Sequence, residues 1–398
     1  MIRDATIICI SSIDWTFNWQ QPQEVASAFA GGDNRVLFIE NTGVRRPLLR
    51  DAARIVARIK NWWRAAGGAK PVVDRLDVLP PLLLPFPYSS LAGRLNAAAL
   101  LRKVRRWIGE RNGHPLIVYT FLPTPLVHAV IRDLDPSLVV YYCIDRLSES
   151  SPQARALRGP EEKLIAEADL VLTTSEALHA AAAKLTPRVE RLPCGVRCRE
   201  FEDATTFEPP SLFARLDGLV IGFIGTLRKE IDLALLAAAA ELAPDINFVF
   251  VGPVMANVRR LAALPNVHLV GPVPHAEVAR YMAGFDAGVL PYVLNDYTAA
   301  IMPAKLKEYL AAGLPIVSTP LPEVRRFADE HPDVIAFAAD APGFVAALRA
   351  AAAKNGPAAA VRRRRVARRY DWSAQMALMN ELMERALEEK GARCAPLP

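Results

Sequence analysis

Lys305 and Glu308 stand three positions apart in Met302-Pro303-Ala304-Lys305-Leu306-Lys307-Glu308-Tyr309-Leu310-Ala311-Ala312-Gly313-Leu314-Pro315-Ile316-Val317-Ser318-Thr319. That spacing puts both side chains on one face of a helix. Gly313 stops the helix, and a short β-branched strand follows. A cation beside the free N–H groups of a helix N-terminus suits a phosphate. A carboxylate one turn further on suits the hydroxyls of a ribose. The pair reads as a seat for a nucleotide-sugar, or else as one ion pair on an ordinary amphipathic helix.

A second group has related chemistry. Strand Leu219–Ile224 delivers Gly225 and Thr226 to a point directly before an expected helix through Leu242. Their N–H groups are then able to meet a phosphate. Arg228 and Lys229 follow; they either add cationic charge there or begin a solvated helix. No metal chemistry is expected. Cys194 and Cys198 form a CxxxC, but no second pair or histidine cluster completes a zinc site. With Cys9, Cys143 and Cys394 they are expected to be free thiols in a reducing cytosol.

The elements that must carry these residues alternate between strand and helix, which predicts an α/β fold with parallel sheets. Strands are expected at Thr6–Ile10, Arg35–Glu40, Leu116–Tyr119, Leu138–Cys143, Leu170–Thr173 and Val189–Leu192, with a first helix at Gln23–Ala30. A second series has strands at Leu219–Ile224, Asn247–Val251, Val267–Val270, Ala287–Leu290 and Ile316–Ser318. The division predicted is 1–205, 206–372, and a last helix over 373–398 that returns to the first domain. Asp371 or Ser373 is expected to cap that helix. Its stripe of Met376, Leu378, Met379, Leu382, Met383 and Leu387 must be buried.

The 398 residues are 52% hydrophobic and 23% charged, which predicts a large core in two or three domains and excludes global disorder. Mean hydropathy is +0.15. No run approaches the roughly 18 apolar residues of a membrane span, and the greasiest piece, Leu79–Phe86, is broken by Pro80, Pro81 and Pro85. Arg3 and Asp4 lead into a strand, not a signal-peptide core, so a cytoplasmic protein is expected. A net charge of +6 and pI of about 9.1 are compatible with an anionic substrate or membrane surface. No nucleic-acid-binding motif is present. Two basic-aromatic stretches suit an anionic membrane. One is Arg45, Arg46, Arg50, Arg54, Arg58, Lys60 and Arg64 beside Ile55, Val56, Ile59, Trp62 and Trp63. The other is Arg102, Lys103, Arg105, Arg106, Trp107 and Arg111. A solvated helix with a buried apolar stripe accounts for the first as well.

Five motifs in order carry a resemblance: Gly225–Leu227, Val251–Pro253, Asn266–Gly271, Asp286–Tyr292 and Pro303–Gly313. Together they resemble the GT-B glycosyltransferases, with two Rossmann-like domains facing a cleft, and within them the retaining family-4 group. Asp14-Trp15-Thr16-Phe17-Asn18-Trp19-Gln20-Gln21-Pro22-Gln23 and Tyr141-Tyr142-Cys143-Ile144-Asp145 resemble the subgroup of teichuronic-acid and exopolysaccharide assembly. The resemblance implies a UDP- or GDP-hexose donor on the second domain and a glycan or lipid-linked glycan acceptor on the first, with no obligatory metal or cofactor. Donor contacts then fall on Gly225, Thr226, Arg228, Lys229, Gly271, Val273, Tyr292, Lys305, Glu308 and the backbone of Ala300, Ile301 and Met302. Glu308 matches the second glutamate of the family's paired motif; the first falls at Ala300, and Asp296 is a nearby replacement. Asp145 takes a catalytic position against the sugar, or caps the helix after it. Asp14, Trp15, Phe17, Asn18, Trp19, Gln20 and Gln23 form the acceptor loop, with at least one aromatic in packing. The alternatives are a sugar-nucleotide epimerase or phosphorylase on the same scaffold, or a binding protein without catalysis.

Overall fold

In the run Thr6–Ile10 the residues from Ile7 on are all buried, as expected of a parallel strand covered on both faces. It is β1 of the first of two compact units in the computed structural model, which describes residues 2–16, 19–42, 69–84, 86, 88–109, 113–202 and 207–394. Unit 1 comprises Met1–Leu192 and Met376–Pro398; unit 2 is Pro193–Gln375. The first passage thus falls at Leu192, ahead of the 205 read from the sequence.

In unit 1, β1 is followed by α1 (Gln21–Gly31), β2 (Arg35–Ile39), β3 (Lys70–Val73), β4 (Leu76–Leu79), α2 (Ser90–Ile108) and β5 (Leu116–Thr120). Then come α3 (Pro125–Leu134), β6 (Leu138–Cys143), α4 (Arg158–Glu167), β7 (Leu170–Thr173), α5 (Glu176–Ala182) and β8 (Val189–Arg191). The sheet order is β3-β4-β2-β1-β5-β6-β7-β8. Every pairing is parallel except the β3–β4 hairpin. Its turn holds Arg75 at φ +60°, and the sequence reading did not anticipate it.

Unit 2 begins with α6 (Cys198–Glu202), β9 (Leu219–Ile224), α7 (Leu233–Leu242), β10 (Ile246–Val251), α8 (Arg259–Ala262), β11 (Val267–Gly271) and α9 (Val278–Ala283). It continues with β12 (Ala287–Leu290), α10 (Ala304–Ala312), β13 (Ile316–Ser318), α11 (Pro322–Glu330), β14 (Ile335–Phe337), α12 (Ala341–Ala353) and α13 (Pro357–Arg368). Its sheet, β11-β10-β9-β12-β13-β14, is parallel throughout. The two ends of unit 2 are stitched together. Val196 donates to the Tyr370 carbonyl at 2.9 Å, and Trp372 N–H returns a bond to Val196 at 3.0 Å. Asp371 accepts from Cys198 N–H at 3.1 Å. Gly195 lies so close to the Trp372 ring that a Cβ would sit 2.4 Å from it.

The last helix, α14 (Trp372–Cys394), supplies the final part of unit 1. Met376, Met379, Leu382 and Met383 are buried, and Leu378 is turned outward. The Tyr119 hydroxyl donates to the Met379 sulfur at 3.1 Å. Lys390 Nζ reaches Asp169 Oδ2 at 2.7 Å. Among the described residues no helix is long and apolar enough to cross a membrane.

Candidate functional site

In unit 2 the chain lays β10 and β11 on one side of β9 and β12 to β14 on the other. Ligands of open parallel sheets collect beyond the carboxyl ends of the strands at such a switch point. Here β9 runs beside β10 for six residues but pairs with β12 only at Ile221 and Gly222. Past that point the Ile224 N–H has no ladder partner on the β12 side, and donates to the Tyr309 hydroxyl at 2.9 Å. A Cβ at Gly288 would come within 2.7 Å of the Tyr309 ring, so glycine makes room for it. Burial pushes the Tyr309 hydroxyl pKa well up, so it remains a neutral strut. Through it, the second half of α10 is tied to the residue before Gly225.

The edge itself is made of glycine. Gly225, Gly252 and Gly271 end β9, β10 and β11, with φ of +148°, +139° and +85°. Gly225 N–H donates to Val251 at 2.9 Å, and Gly252 N–H to Gly271 at 2.8 Å. A Cβ on Gly252 would lie 2.2 Å from the Gly225 carbonyl oxygen, whereas one on Gly271 would meet open space. Backbone can therefore approach a ligand here without side chains between. Val273 is half-buried and packs on the core of the unit.

Lys305 and Glu308 lie on one face of α10, as their spacing requires. Lys305 Nζ donates to Glu308 Oε2 at 2.7 Å, with the side chains 27% and 15% exposed. Both remain open to a ligand. The preceding turn is rigid: Asn295 N–H donates to Thr298 Oγ1 at 3.0 Å, and Thr298 N–H to Asn295 Oδ1 at 2.9 Å. Ala300 and Ile301 are buried in that turn, and Met302 is half-buried. Lys307, between the exposed pair, points the other way. It is fully buried, donates to the Cys194 carbonyl at 2.6 Å and lies 4.8 Å from the Tyr370 ring.

The glycine–threonine loop departs from the sequence reading. Gly225 and Thr226 do not directly precede a helix, because α7 begins only at Leu233, where Asp232 caps it by accepting from Leu235 N–H at 2.9 Å. Between them the chain is pinned by bridges from Leu227 to Val254 and from Ile231 to Tyr292. Thr319 holds Tyr292 in turn, its Oγ1 donating to the Tyr292 carbonyl at 2.8 Å. Arg228 and Lys229 are therefore in a loop, not at a helix start. Both face Glu230, at 3.1 and 3.7 Å. The buried Glu230 was not singled out from the sequence, although its place directly after two cations was a visible signal.

Unit 1 has its own switch point between β1 and β5. The loop after β1 packs there: Trp15 meets Trp19 and Phe38 edge-on, with centroids 5.6 and 5.0 Å apart. Trp15 N–H donates to Glu40 at 2.9 Å, and Trp19 Nε1–H to Glu24 at 2.6 Å. Gln20 and Gln23 form a capping box for α1. Gln23, fully buried, accepts from Gln20 N–H at 3.0 Å and donates to the Trp15 carbonyl at 3.4 Å. Its amide is thus engaged in holding the loop. Asp14 is half-buried; Phe17 and Asn18 lie outside the described residues.

Asp145 is half-buried just past β6. Arg146, not Asp145, occupies the capping position of the 3-10 turn Leu147–Glu149 that follows. Beneath this segment the sequence reading missed Glu161, which accepts from the Tyr141 hydroxyl at 2.6 Å. Burial raises the Glu161 carboxyl pKa, and the bonds from Tyr141 and Cys143 offset part of that rise. Of the basic-aromatic stretches, 45–64 and Arg111 lie outside the described residues. Trp107 is not a surface anchor: its Nε1–H donates to Asp77 at 2.6 Å, and Arg35 stacks 4.2 Å over its ring.

Residues 218–354 match the family described as Glycosyl transferases group 1. Over 275 residues the chain is 31% identical to the putative teichuronic acid biosynthesis glycosyltransferase TuaH of Bacillus subtilis (strain 168), covering 64% of this chain and 68% of that protein. The fold is similar to sucrose-phosphate synthase from Thermosynechococcus elongatus, with a TM-score of 0.72 at 15% identity over 97% of this chain and 100% of that one. It is also similar to Anabaena HepE in complex with UDP and glucose, with a TM-score of 0.65 at 13% identity over 95% and 99% of the two chains. WaaG, a glycosyltransferase involved in lipopolysaccharide biosynthesis, gives 0.62 at 14% identity over 95% and 99%. Two parallel α/β sheets with these neighbours define the GT-B fold. The chain belongs to the family-4-like, group 1 glycosyltransferases.

Proposed function

We propose that this glycosyltransferase moves a hexose-type sugar, with retention, from a UDP- or GDP-sugar to a hydroxyl of a bacterial surface glycan or lipid-linked glycan. It acts on the cytoplasmic side, in peripheral contact with an anionic membrane, and needs no metal or other cofactor. The observation that carries the donor half is the Lys305–Glu308 pair on the helix that Tyr309 ties to the end of β9, next to the bare glycine edge. On donor arrival Lys305 turns to the diphosphate and Glu308 to the ribose hydroxyls, so each exchanges one polar partner for another. As the diphosphate leaves, Lys305 and the amides at the head of α10 stabilise its charge. Arg228 joins them by leaving Glu230. The base lies along Gly271 and Val273. The departing phosphate takes the acceptor proton on the same face of the sugar, and Asp145 stabilises positive character on the ring. The Trp15–Trp19 loop serves as the acceptor platform. Supporting this reading, HepE has been seen with UDP-glucose, and TuaH is named for teichuronic acid biosynthesis.

The second reading is a nucleotide-sugar-binding homologue without catalysis. It is favoured by Ala300, whose buried methyl group stands where a motif carboxylate is expected.

A thermal-shift panel of UDP, GDP, ADP and dTDP and their sugars, on wild type and Glu308→Ala, tests the donor site. A ligand of the native state raises the midpoint by mass action. Stabilisation by one nucleotide class that is lost in Glu308→Ala supports the site and identifies the base. No shift with any nucleotide in a folded sample overturns it. Stabilisation without sugar transfer to any glycan acceptor favours the second reading.

A further inference from the structure

In unit 2, Arg228, Lys229 and Glu230 form an arch between two stitched seams. On the entering side Leu227 N–H donates to the Pro253 carbonyl at 2.9 Å, and Met255 N–H to the Leu227 carbonyl at 2.8 Å. Gly225 and Gly252 each lie two residues before the Leu227–Val254 bridge, so the arch starts at the bare glycine edge. On the leaving side Val293 N–H donates to the Glu230 carbonyl at 3.0 Å, and Asp232 N–H to the Pro291 carbonyl at 2.7 Å. Ile231 N–H closes the arch on the Arg228 carbonyl at 3.0 Å. The backbone is thus fastened just past the ends of β10 and β12, and any change of partner falls to the side chains. Those of Arg228 and Lys229 are 50% and 70% exposed, and that of Glu230 is 8% exposed. One buried carboxylate therefore holds two solvent-facing cations, on different oxygens: Arg228 Nε is 3.1 Å from Oε2, and Lys229 Nζ is 3.7 Å from Oε1.

Two cations on one buried acid can do what a single ion pair cannot. A buried charge that loses its only partner is strongly destabilised. Here Arg228 is able to leave while Lys229 still covers the other oxygen. The acid also competes, because an anion that takes Arg228 must take it from Glu230. Glu308 differs: in the proposed donor complex it gains ribose hydroxyls when Lys305 turns away. Glu230 is more enclosed, and its compensation is the second cation. We propose that Glu230 is a positioning residue that competes with the leaving nucleoside diphosphate for Arg228, with Lys229 as the counter-ion that stays behind. While the diphosphate is in place Arg228 points to it. After transfer the carboxylate draws Arg228 back, which loosens the product and clears the site. This rests on the donor site of the proposed function and adds a release step to it.

The test is calorimetric titration of the full chain with UDP, GDP, ADP and dTDP at fixed salt. Wild type is expected to bind at least one of them. Glu230→Gln keeps the shape of the side chain and removes its charge, and is expected to bind that nucleotide about fivefold more tightly. Its product-inhibition constant in sugar transfer should fall by the same factor. Arg228→Gln is expected to bind about fivefold more weakly, and Glu230→Gln added to it should change nothing further. A purely structural Glu230 gives the opposite sign, because a loosened arch binds more weakly, and that result overturns the proposal. So does equal tightening with and without Arg228, which assigns the effect to general repulsion of the anion. A second cycle uses exposed side chains alone, and stands even where Glu230→Gln does not fold. Lys229→Gln leaves Glu230 bare whenever Arg228 departs, so it is expected to weaken binding by about threefold. In the Arg228→Gln background it should have no effect. Additive losses would place Lys229 on the phosphate itself and overturn the proposal. Absence of wild-type binding to every nucleotide overturns the donor site together with the proposal, whereas wild-type binding with the wrong sign in Glu230→Gln overturns the proposal alone.

Discussion

At the carboxyl edge of unit 2 the chain withdraws its side chains: three glycines in succession end β9, β10 and β11, all at positive φ. At the switch point of unit 1, between β1 and β5, the edge is filled instead. Trp15, Trp19 and Phe38 pack ring against ring, and Gln23 is spent on the cap of α1. Both sheets are parallel around their switch points, and both offer the same topological crevice. What differs is the surface they present there. The bare edge with a cation and a carboxylate beside it is suited to a small, highly charged ligand. The aromatic edge is suited to the flat face of a sugar, which offers C–H groups and little charge. Sheet topology thus locates a site, and the loop residues determine its chemistry.

The contrast can be tested from either side. The largest effect is expected for Lys305→Ala, which removes a cation from the bare edge. Sugar transfer should fall by about a hundredfold or more, with little change in stability, because the Lys305 side chain is partly solvated. Steady-state kinetics beside a urea titration check this, and an equal fall in stability would mean that Lys305 supports the fold.

Next is a pair of glycine substitutions. Gly252→Ala meets the Gly225 carbonyl at 2.2 Å and must also hold φ +139°; a loss of roughly 3 kcal/mol is expected. Gly271→Ala meets nothing within 4 Å and has only its φ of +85° to accommodate, so about 1 kcal/mol is expected. Equilibrium unfolding measures both, and equal costs would remove the argument that the edge is built for backbone contact.

On the filled edge, Gln23→Ala should cost about 1 to 2 kcal/mol through the lost cap and the unpaired groups it leaves. The nucleotide-induced thermal shift should be unchanged. The smallest effect belongs to Glu161. Burial raises its carboxyl pKa in the folded state above the unfolded value. Its contribution to stability is therefore full below the unfolded pKa, and is lost as pH rises through the folded one. Glu161→Gln cannot ionise. Its stability relative to wild type should improve as pH rises from acid to neutral, as read from urea midpoints at a series of pH values.

Much of this was legible before any coordinates. Strands such as Leu219–Ile224 and Ala287–Leu290 end where apolar runs give way to glycine or proline. The Lys305–Glu308 face followed from helical spacing alone. The start of α7 was not legible. Leu227, Arg228, Lys229 and Glu230 all have good helix propensity and lead into the alanine-rich run after Leu233, and tertiary pinning at Leu227 and Ile231 keeps them out of the helix. The burial of Lys307 was also hidden. Lysine is almost never fully buried without a partner, and its partner, the Cys194 carbonyl, is far away in the chain. Trp107 was read as a surface anchor because its sequence neighbours are basic. Its partners, Asp77 and Arg35, come from other strands. The Lys305–Glu308 pair was readable because its partner lies one helical turn away, whereas the partners of Lys307 and Trp107 lie far off in the chain.

The course of the chain also bears on its synthesis. Unit 2 is continuous, while unit 1 needs Met376–Pro398, a stretch made after the whole of unit 2. Until it emerges, the Tyr119 hydroxyl lacks Met379 and Asp169 lacks Lys390. Domains tend to fold as units while the chain is being made, the N-terminal one first. Here that order is reversed: unit 2, begun second, is complete before Met376–Pro398 is made, and the nascent unit 1 waits for that helix.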